Sequence, residues 1–491
     1  MVRGIKFCLI FYFIFFAMNI SVYAEPRGEQ IITYSNFRYV RHIAASLKYV
    51  YFATSRGIIV FNKMEKRWEE PLTGADNIDN TDIHKIWVDK FDENLFIETG
   101  SFIYEYDFFL EKWFSQTELD NFELDYKHIR LDEMMHPPEG YIYTAKETLV
   151  DSYGQKFYIN DAIDDNSGEI WIGSWGLGPI KGSGISGYME FMPFGLLQNN
   201  VNTIYNDSGN LWIGGLLTDT YPEGITVFNP DEQSFKQIEF STDKFFPYNN
   251  INSIIRYNDY MAIGSSDGVF FYDSDNEVIS HQYNSSEGLF NTEVLSLISI
   301  GDSLFVGTEE GLSLLTNKGH SGQLVIPSKF LMHSIYDFEK IDDYLWIATS
   351  DGIYRLNLKT EKLQQFHDKD SFIFNDVFQI ERYENNLFFA TNNGILRLNL
   401  ETAETKIIYT YSSKLISHSL AVNGEIVVTG ADQGMTIIFY NENPIVSRTF
   451  TTNDGLPSDY IFHLELDGDF IWIGTDAGLS NFWWSDPDRI Y

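Results

Sequence analysis

Residues 345–358, LWIATSDGIYRLNL, read as an apolar run, a small residue, a short polar turn and a second apolar run. The stretch LFFATNNGILRLNL, 387–400, repeats that pattern almost position for position. Runs of four to six apolar, β-branched and aromatic residues broken by Asp/Asn-Gly turns predict β-hairpins. Helical periodicity is nearly missing after residue 24; LTGADNIDNTDIHKIW and FSQTELDNFEL come nearest, and both are weak.

With Trp346 as anchor, equivalent positions are Tyr51, Phe96, Trp171, Trp212, Ala262, Phe305, Phe388, Val427 and Trp472, at intervals of 45, 75, 41, 50, 43, 41, 42, 39 and 45. A small residue stands two positions on in Ala53, Gly173, Gly214, Gly264, Gly307, Ala348, Ala390 and Gly474, whereas Glu98 and Thr429 break the rule. Glycine stands six positions after the anchor in Gly57, Gly268, Gly311, Gly352, Gly394 and Gly478, where a tight turn needs its permissive backbone. Around Trp212 a whole unit can be read, with strands at 202–205, 211–214, 225–228 and 235–240. Four short antiparallel strands per 40–45 residues are the mark of a propeller blade, which buries its faces only against other blades. The expected fold is therefore all-β: a β-propeller of about ten four-stranded blades over residues 25–491. The orphan run QIITYS, 30–35, would complete the last blade beside Trp483 and Trp484, which favours one closed ring; two five-bladed rings are the alternative. The 75-residue interval is read as an outer insertion of the second blade, about 115–157.

Residues 1–24 change the cellular picture. Arg3 and Lys6, the run FCLIFYFIFFAMNI and the small-residue site before Glu25 form a signal peptide, so the mature chain is expected in the periplasm, secreted or at the cell surface, with no later membrane span. The single cysteine, Cys8, leaves with that peptide, and 467 residues must fold without a disulfide. The formal charge is −36, and −38 without Arg3 and Lys6, which repels nucleic acid.

The stretch TTNDGLPSDYIFHLELDGDFIWIGTDAGL, 451–479, resembles the two-component regulator propeller repeat: a Gly-Leu turn, a strand, an Asp/Gly turn, then Trp-Ile-Gly-Thr and Gly-Leu. Gly455-Leu456, Gly288-Leu289 and Gly195-Leu196 each begin 17 residues before an anchor. The likeness covers about 40–484 and is strongest from 195 onward. It implies a periplasmic sensor or recognition module, of a kind that precedes a membrane span and a histidine kinase, or that serves as a secretion accessory. Because the sequence stops at Tyr491 without such parts, a separate membrane-bound signalling or secretion partner is expected. The repeat carries structural residues only, so it transfers no binding site.

Candidate chemistry is sparse. No HExxH, GxSxG, phosphate loop or metal-spaced His cluster occurs, so neither cofactor nor metal is expected. Asp164-Asp165-Asn166-Ser167-Gly168 lacks the distal Glu of a calcium loop and reads as a turn. Trp171, Trp212, Trp346 and Trp472 read as packing between blades, not as a stacking platform. Two segments, 173–188 and 214–225, look like lengthened loops on one face, and offer Trp175, Lys181, Asp219 and Tyr221 as a ligand site for a sugar or peptide. The expected function is recognition of a protein or glycan by a non-catalytic module. A carbohydrate-active hydrolase or lyase is the alternative, distinguished by paired carboxylates on channel-lining first strands.

Overall fold

The computed structural model describes residues 31–486 except 74–82, 91–92, 101, 109–111, 117–122, 132–134, 145–146, 217–223, 240–249, 317–320, 323–332, 367–375 and 412–418. Residues 1–24, the expected signal peptide, lie outside that range. The strands form ten antiparallel sheets, nine of four strands and one of seven. The unit read around Trp212 is found as Val201–Asp207, Asn210–Gly215, Gly224–Asn229 and Ser234–Glu239. The tenth sheet takes Ile31–Tyr34 as its outer strand, Ile31 facing Phe482 and Tyr34 facing Leu479.

The sheets do not form one ring of ten, nor two of five. The first strands of sheets four to ten start at Val201, Ile251, Val294, Ile335, Val377, Ser419 and Ile461, and each packs on the next. Sheet ten then packs back on sheet four, so these seven sheets neighbour one another in a cycle. The other three stand together: the first strand of sheet one, Val40–Ala45, packs between those of sheet two, Ile83–Val88, and sheet three, Lys156–Asp164.

One packing rule explains both groups. In six sheets a glycine of the second strand lies under the β-branched residue that opens a neighbouring sheet. A Cβ on Gly214 would lie 2.4 Å from Cγ2 of Ile251, one on Gly173 would lie 2.5 Å from Val40, and one on Gly474 would meet Val201 at 2.8–2.9 Å. The last contact joins the two ends of the seven-sheet cycle. In sheet nine the small residue is Gly430, which meets Ile461. The anchor there is Val428, opposite Ala421, and not Val427; Gly434 then falls six positions on and the apparent exception at Thr429 disappears. The anchor tryptophans Trp171, Trp212, Trp346 and Trp472 are all buried in these seams. At the chain end Trp483 is exposed and Trp484 buried, as strand alternation requires.

Two further corrections concern the third sheet. Tyr141–Thr144 and Thr148–Asp151 form a hairpin on its first strand, not outside the second sheet, because Leu149 and Thr148 pair with Phe157 and Tyr158. Segment 173–188 is no lengthened loop: Glu169–Trp175 and Gly178–Ser183 join through two residues, with Ser174 facing Gly178. It is one residue longer than its counterparts, which is why the glycine count at six positions misses it.

The two groups are tied where the chain crosses between them. Residues 35–39 run from sheet ten to sheet one, beside 192–200, which run from sheet three to sheet four. Phe37 and Phe194 stack at 5.8 Å. Asn36 donates from Nδ2 to the Leu197 carbonyl at 2.8 Å, and its backbone N–H donates to Asn199 Oδ1 at 2.7 Å. Gly195 has φ +83, and a Cβ there would lie 2.4 Å from the Ser35 carbonyl, so its Gly-Leu turn is the one that lets the two crossings touch. One buried cluster spans both groups through Tyr34, Phe37, Phe194, Phe228 and Trp472.

Filling a seam should cost about 1–3 kcal/mol by overpacking. Gly474→Val is expected to lower unfolding free energy by that amount in chemical denaturation. Gly468→Asn, with φ +59 and open space around it, should cost well under about 1 kcal/mol, because Asn tolerates the left-handed region.

Candidate functional site

Two features offer chemistry: a row of polar side chains on the first strands, and a cleft between the two groups of sheets. The row follows from register. Opposite the small residue of the second strand, or opposite Glu98 in sheet two, stands a polar residue of the first: His42, Lys85, Asp161, Thr203, Ser253, Ser296, Asp337, Gln379, Ser419 and His463. In every sheet but the ninth a register shift precedes it. Several of these side chains bond to the neighbouring sheet. Asp337 Oδ2 accepts from the Ile380 N–H at 2.8 Å, Gln379 Oε1 from Leu420 at 2.7 Å, and Ser419 Oγ from Leu464 at 2.7 Å. Ser296 donates to the Ile335 carbonyl at 3.1 Å, and His463 bonds the Ile204 backbone. Each such bond satisfies a backbone group that the sheet edge leaves open.

Two residues further along, opposite the anchors, three sheets of the cycle carry carboxyls: Glu339, Glu381 and Glu465. The equivalent residues in sheets four, five, six and nine are Tyr205, Ile255, Ile298 and Ala421. One side of the axis is thus acidic and the other apolar. Ala421, between Glu381 and Glu465, leaves those two carboxyls unscreened by a large side chain. Water reaches this row in part, yet protein surrounds it, so the charged forms are poorly solvated. Burial pushes Asp337 up to about 7, Glu339 to about 6 and Glu465 to about 7. Glu381 is raised well above the usual carboxylate range, first by burial and then by Asp337, Glu339 and Glu465 around it. Gln379 Nε2 donates to Glu381 Oε1 at 2.8 Å and holds it in place. A carboxyl kept protonated near neutral pH can donate a hydrogen bond or a proton, while an ionised neighbour accepts one.

The cleft lies between sheets one and two on one side and sheet ten with the 230–233 turn on the other. It encloses about 670 Å³, within the range of small-molecule sites. Tyr49, Tyr106 and Phe108 form an aromatic wall, with Phe108 46% exposed. Tyr106 and Phe108 meet edge-on at 5.0 Å. Arg67, Glu69, Glu70 and Asp231 supply charge at the rim. Arg67 is held by Glu65 at 2.6 Å and Glu69 at 3.2 Å, and Asn62 donates to Glu69 at 2.8 Å.

No family model matches this chain, and no curated protein matches it. Among solved structures it is similar to PorZ, an essential bacterial surface component of the type-IX secretion system of Porphyromonas gingivalis: 12% identity and TM-score 0.51, over 90% of this chain and 68% of that one. It also aligns with the extracellular domain of a putative hybrid two-component system from B. thetaiotaomicron, at 12% identity and TM-score 0.45, over 90% and 70% of the two chains. BamB from Moraxella catarrhalis aligns at 13% identity and TM-score 0.40, over 73% and 98%. At such identities the likeness to PorZ speaks for a propeller-type fold.

Of the residues singled out from sequence, Trp175 and Lys181 do not line the cleft. Asp219 and Tyr221 lie outside the described residues. Trp175 ends its strand against Tyr39, the rings edge-on at 5.1 Å. Lys181 lies four positions away along the hairpin, paired with Glu169 and 5.4 Å above the Trp171 ring. The Asp165 turn is a plain turn that is tied inward: Asp165 Oδ2 accepts from Trp171 Nε1 at 2.9 Å and Lys63 Nζ at 3.1 Å. Among the described residues, no helix is long and apolar enough to cross a membrane.

The raised carboxyls fix a pH response. Their folded values exceed the unfolded ones, so the native state holds protons that the unfolded chain has released, and this part of the stability falls as pH rises from about 4 to about 7. His463, pushed down to about 4 by burial, acts oppositely between about 4 and 6.5. Glu381→Gln isolates the acidic term. The variant is expected to gain about 1–3 kcal/mol over wild type at pH 8, with the gain shrinking towards pH 5, in denaturation curves across that range.

Proposed function

We propose that this protein is an exported propeller that recognises a glycan or protein ligand in the cleft between its two groups of sheets. In this reading it acts as a sensor-type or assembly-scaffold module, without catalysis, in the periplasm or at the cell surface. The cleft is the observation that carries the reading. Aromatic faces beside fixed hydrogen-bonding groups suit the alternating apolar and hydroxyl surfaces of a sugar. The net charge of −36 directs the choice towards neutral or cationic ligands and away from polyanions. The signal peptide at 1–24 supports export. A separate membrane-bound signalling or secretion partner would convert binding into a response.

A second reading has its own support in the axial carboxyls. Glu339 and Glu381 stand on adjacent first strands and Glu465 stands two sheets beyond, and burial keeps part of this set protonated. A proton-donating carboxyl beside an ionised one is the pair that glycoside hydrolysis uses. On that reading Glu381 is the acid and the protein is a carbohydrate-active hydrolase or lyase.

Glycan-array screening and pull-down from the envelope fraction separate these readings. Specific binding is expected, weakened at least tenfold in a Tyr49→Ala, Phe108→Ala double variant whose melting temperature stays near wild type. A blank array together with no specific envelope partner overturns recognition. Chain cleavage of a bound glycan, abolished by Glu381→Gln with binding retained, would replace the first reading by the second.

A further inference from the structure

The three-sheet group has a centre of its own, and its chemistry differs from that of the seven-sheet axis. Here the three interlocking positions hold His42, Lys85 and Asp161. Asp161 makes the familiar bond to the neighbouring sheet, accepting the Ile43 N–H on Oδ2 at 2.8 Å. A fourth segment joins them: Lys127–His128 pairs with the first strand of sheet three, His128 facing Ile163. The side chains of His42, His128 and Asp161 consequently converge from three places in the chain, with one ligand atom of each within 4.8 Å of the others.

Asp161 faces one imidazole with each oxygen: Oδ1 stands 2.8 Å from His128 Nδ1, and Oδ2 stands 3.5 Å from His42 Nδ1. The His42 Nδ1 atom is buried and makes no hydrogen bond. That nitrogen thus faces a carboxylate oxygen at 3.5 Å without a hydrogen bond to it. Two donors that share a tetrahedral ion at about 2.1 Å are separated by about 3.4 Å, close to the 3.5 Å between His42 Nδ1 and Asp161 Oδ2. The other pair needs only a small opening of the His128 contact, and His128, 39% exposed, gives an ion a way in.

We propose that His42, His128 and Asp161 bind one divalent transition-metal ion of the zinc class. Two imidazoles and a carboxylate are a usual donor set for such an ion, with water completing the tetrahedron. The Ile43 N–H bonds Oδ2 and fixes the carboxylate, as outer-shell bonds do in metal sites. Lys85 has its Nζ 5.4 Å from the Trp87 ring, and Tyr126 packs edge-on against His128 at 5.6 Å. The bound ion would clamp the added strand at 127–128 to sheets one and three. This replaces, in the smaller group, the continuous ring of neighbours that stabilises the larger one.

The test uses the full mature chain without a polyhistidine tag, stripped with chelator and titrated with Zn²⁺ by calorimetry and with Co²⁺ by visible absorption. One equivalent is expected to bind, with the visible bands of tetrahedral cobalt and a higher melting temperature. His128→Ala and Asp161→Asn should each weaken Zn²⁺ binding at least tenfold, whereas His84→Ala, on the exposed side of sheet two, should leave it unchanged. His42→Ala serves as a further ligand variant, and the melting curve without metal reports whether each variant folds. Absence of stoichiometric binding to the wild-type chain, or binding that survives His128→Ala in a folded variant, overturns the site.

Discussion

Everything in this molecule depends on how one sheet grips the next. A four-stranded sheet is too thin to bury both of its faces, so its stability is borrowed from neighbours. The grip has two parts at one register. A small residue on the second strand lets the β-branched opening residue of the next sheet come within van der Waals reach, as at Gly214 and Ile251. The polar residue opposite it bonds to the backbone of the next first strand, as Asp337 does to Ile380. Apolar closeness alone would let sheets slide; the hydrogen bond sets the register, because a buried backbone group left unpaired is costly. Around the seven sheets the contacts return to their start, with Gly474 against Val201 and His463 against Ile204.

The same register brings ionisable groups inward. A residue that must be polar to reach the next backbone can be Ser, Thr, Gln, Asp or His without loss of the bond, so the position is free to carry chemistry. In the larger group the acidic residues Glu339, Glu381 and Glu465 sit two residues beyond it, and Glu339 and Glu465 add to the burial that raises Glu381. In the smaller group Asp161 keeps its structural bond to Ile43 and also faces two imidazoles. Both candidate centres are thus by-products of sheet stacking, tuned by which residue occupies an interlocking position. The cleft has another origin: it lies between the two groups of sheets and is lined from both.

The hairpins were legible because their pattern is local. An apolar run, a small residue, a glycine turn and a second apolar run lie within fourteen residues of one another, as in 345–358. The completion of the last sheet by Ile31–Tyr34 was also readable, since a strand without partners and a sheet without a fourth strand imply each other. Errors arose where one residue of phase matters. Val427 and Val428 are both apolar, and only the pairing partner Ala421 marks Val428 as the anchor. The 173–188 segment looked long because its glycine stands seven, not six, positions from Trp171. The polar register went unseen because a bulge shifts it within each first strand, and because its residues share a role but not a side chain.

The order of amino acids by itself decided that the chain forms ten small antiparallel sheets, where each turns, and which tryptophans lie in the seams. It did so because strand alternation and turn chemistry act over a few residues. Tertiary structure alone decided that sheets group as seven and three, that Glu381 lies among other carboxyls, and that His42 meets His128 and Asp161. These facts depend on which sheet follows which in space, and a strand pattern that repeats every forty residues carries no mark of how many repeats complete a turn.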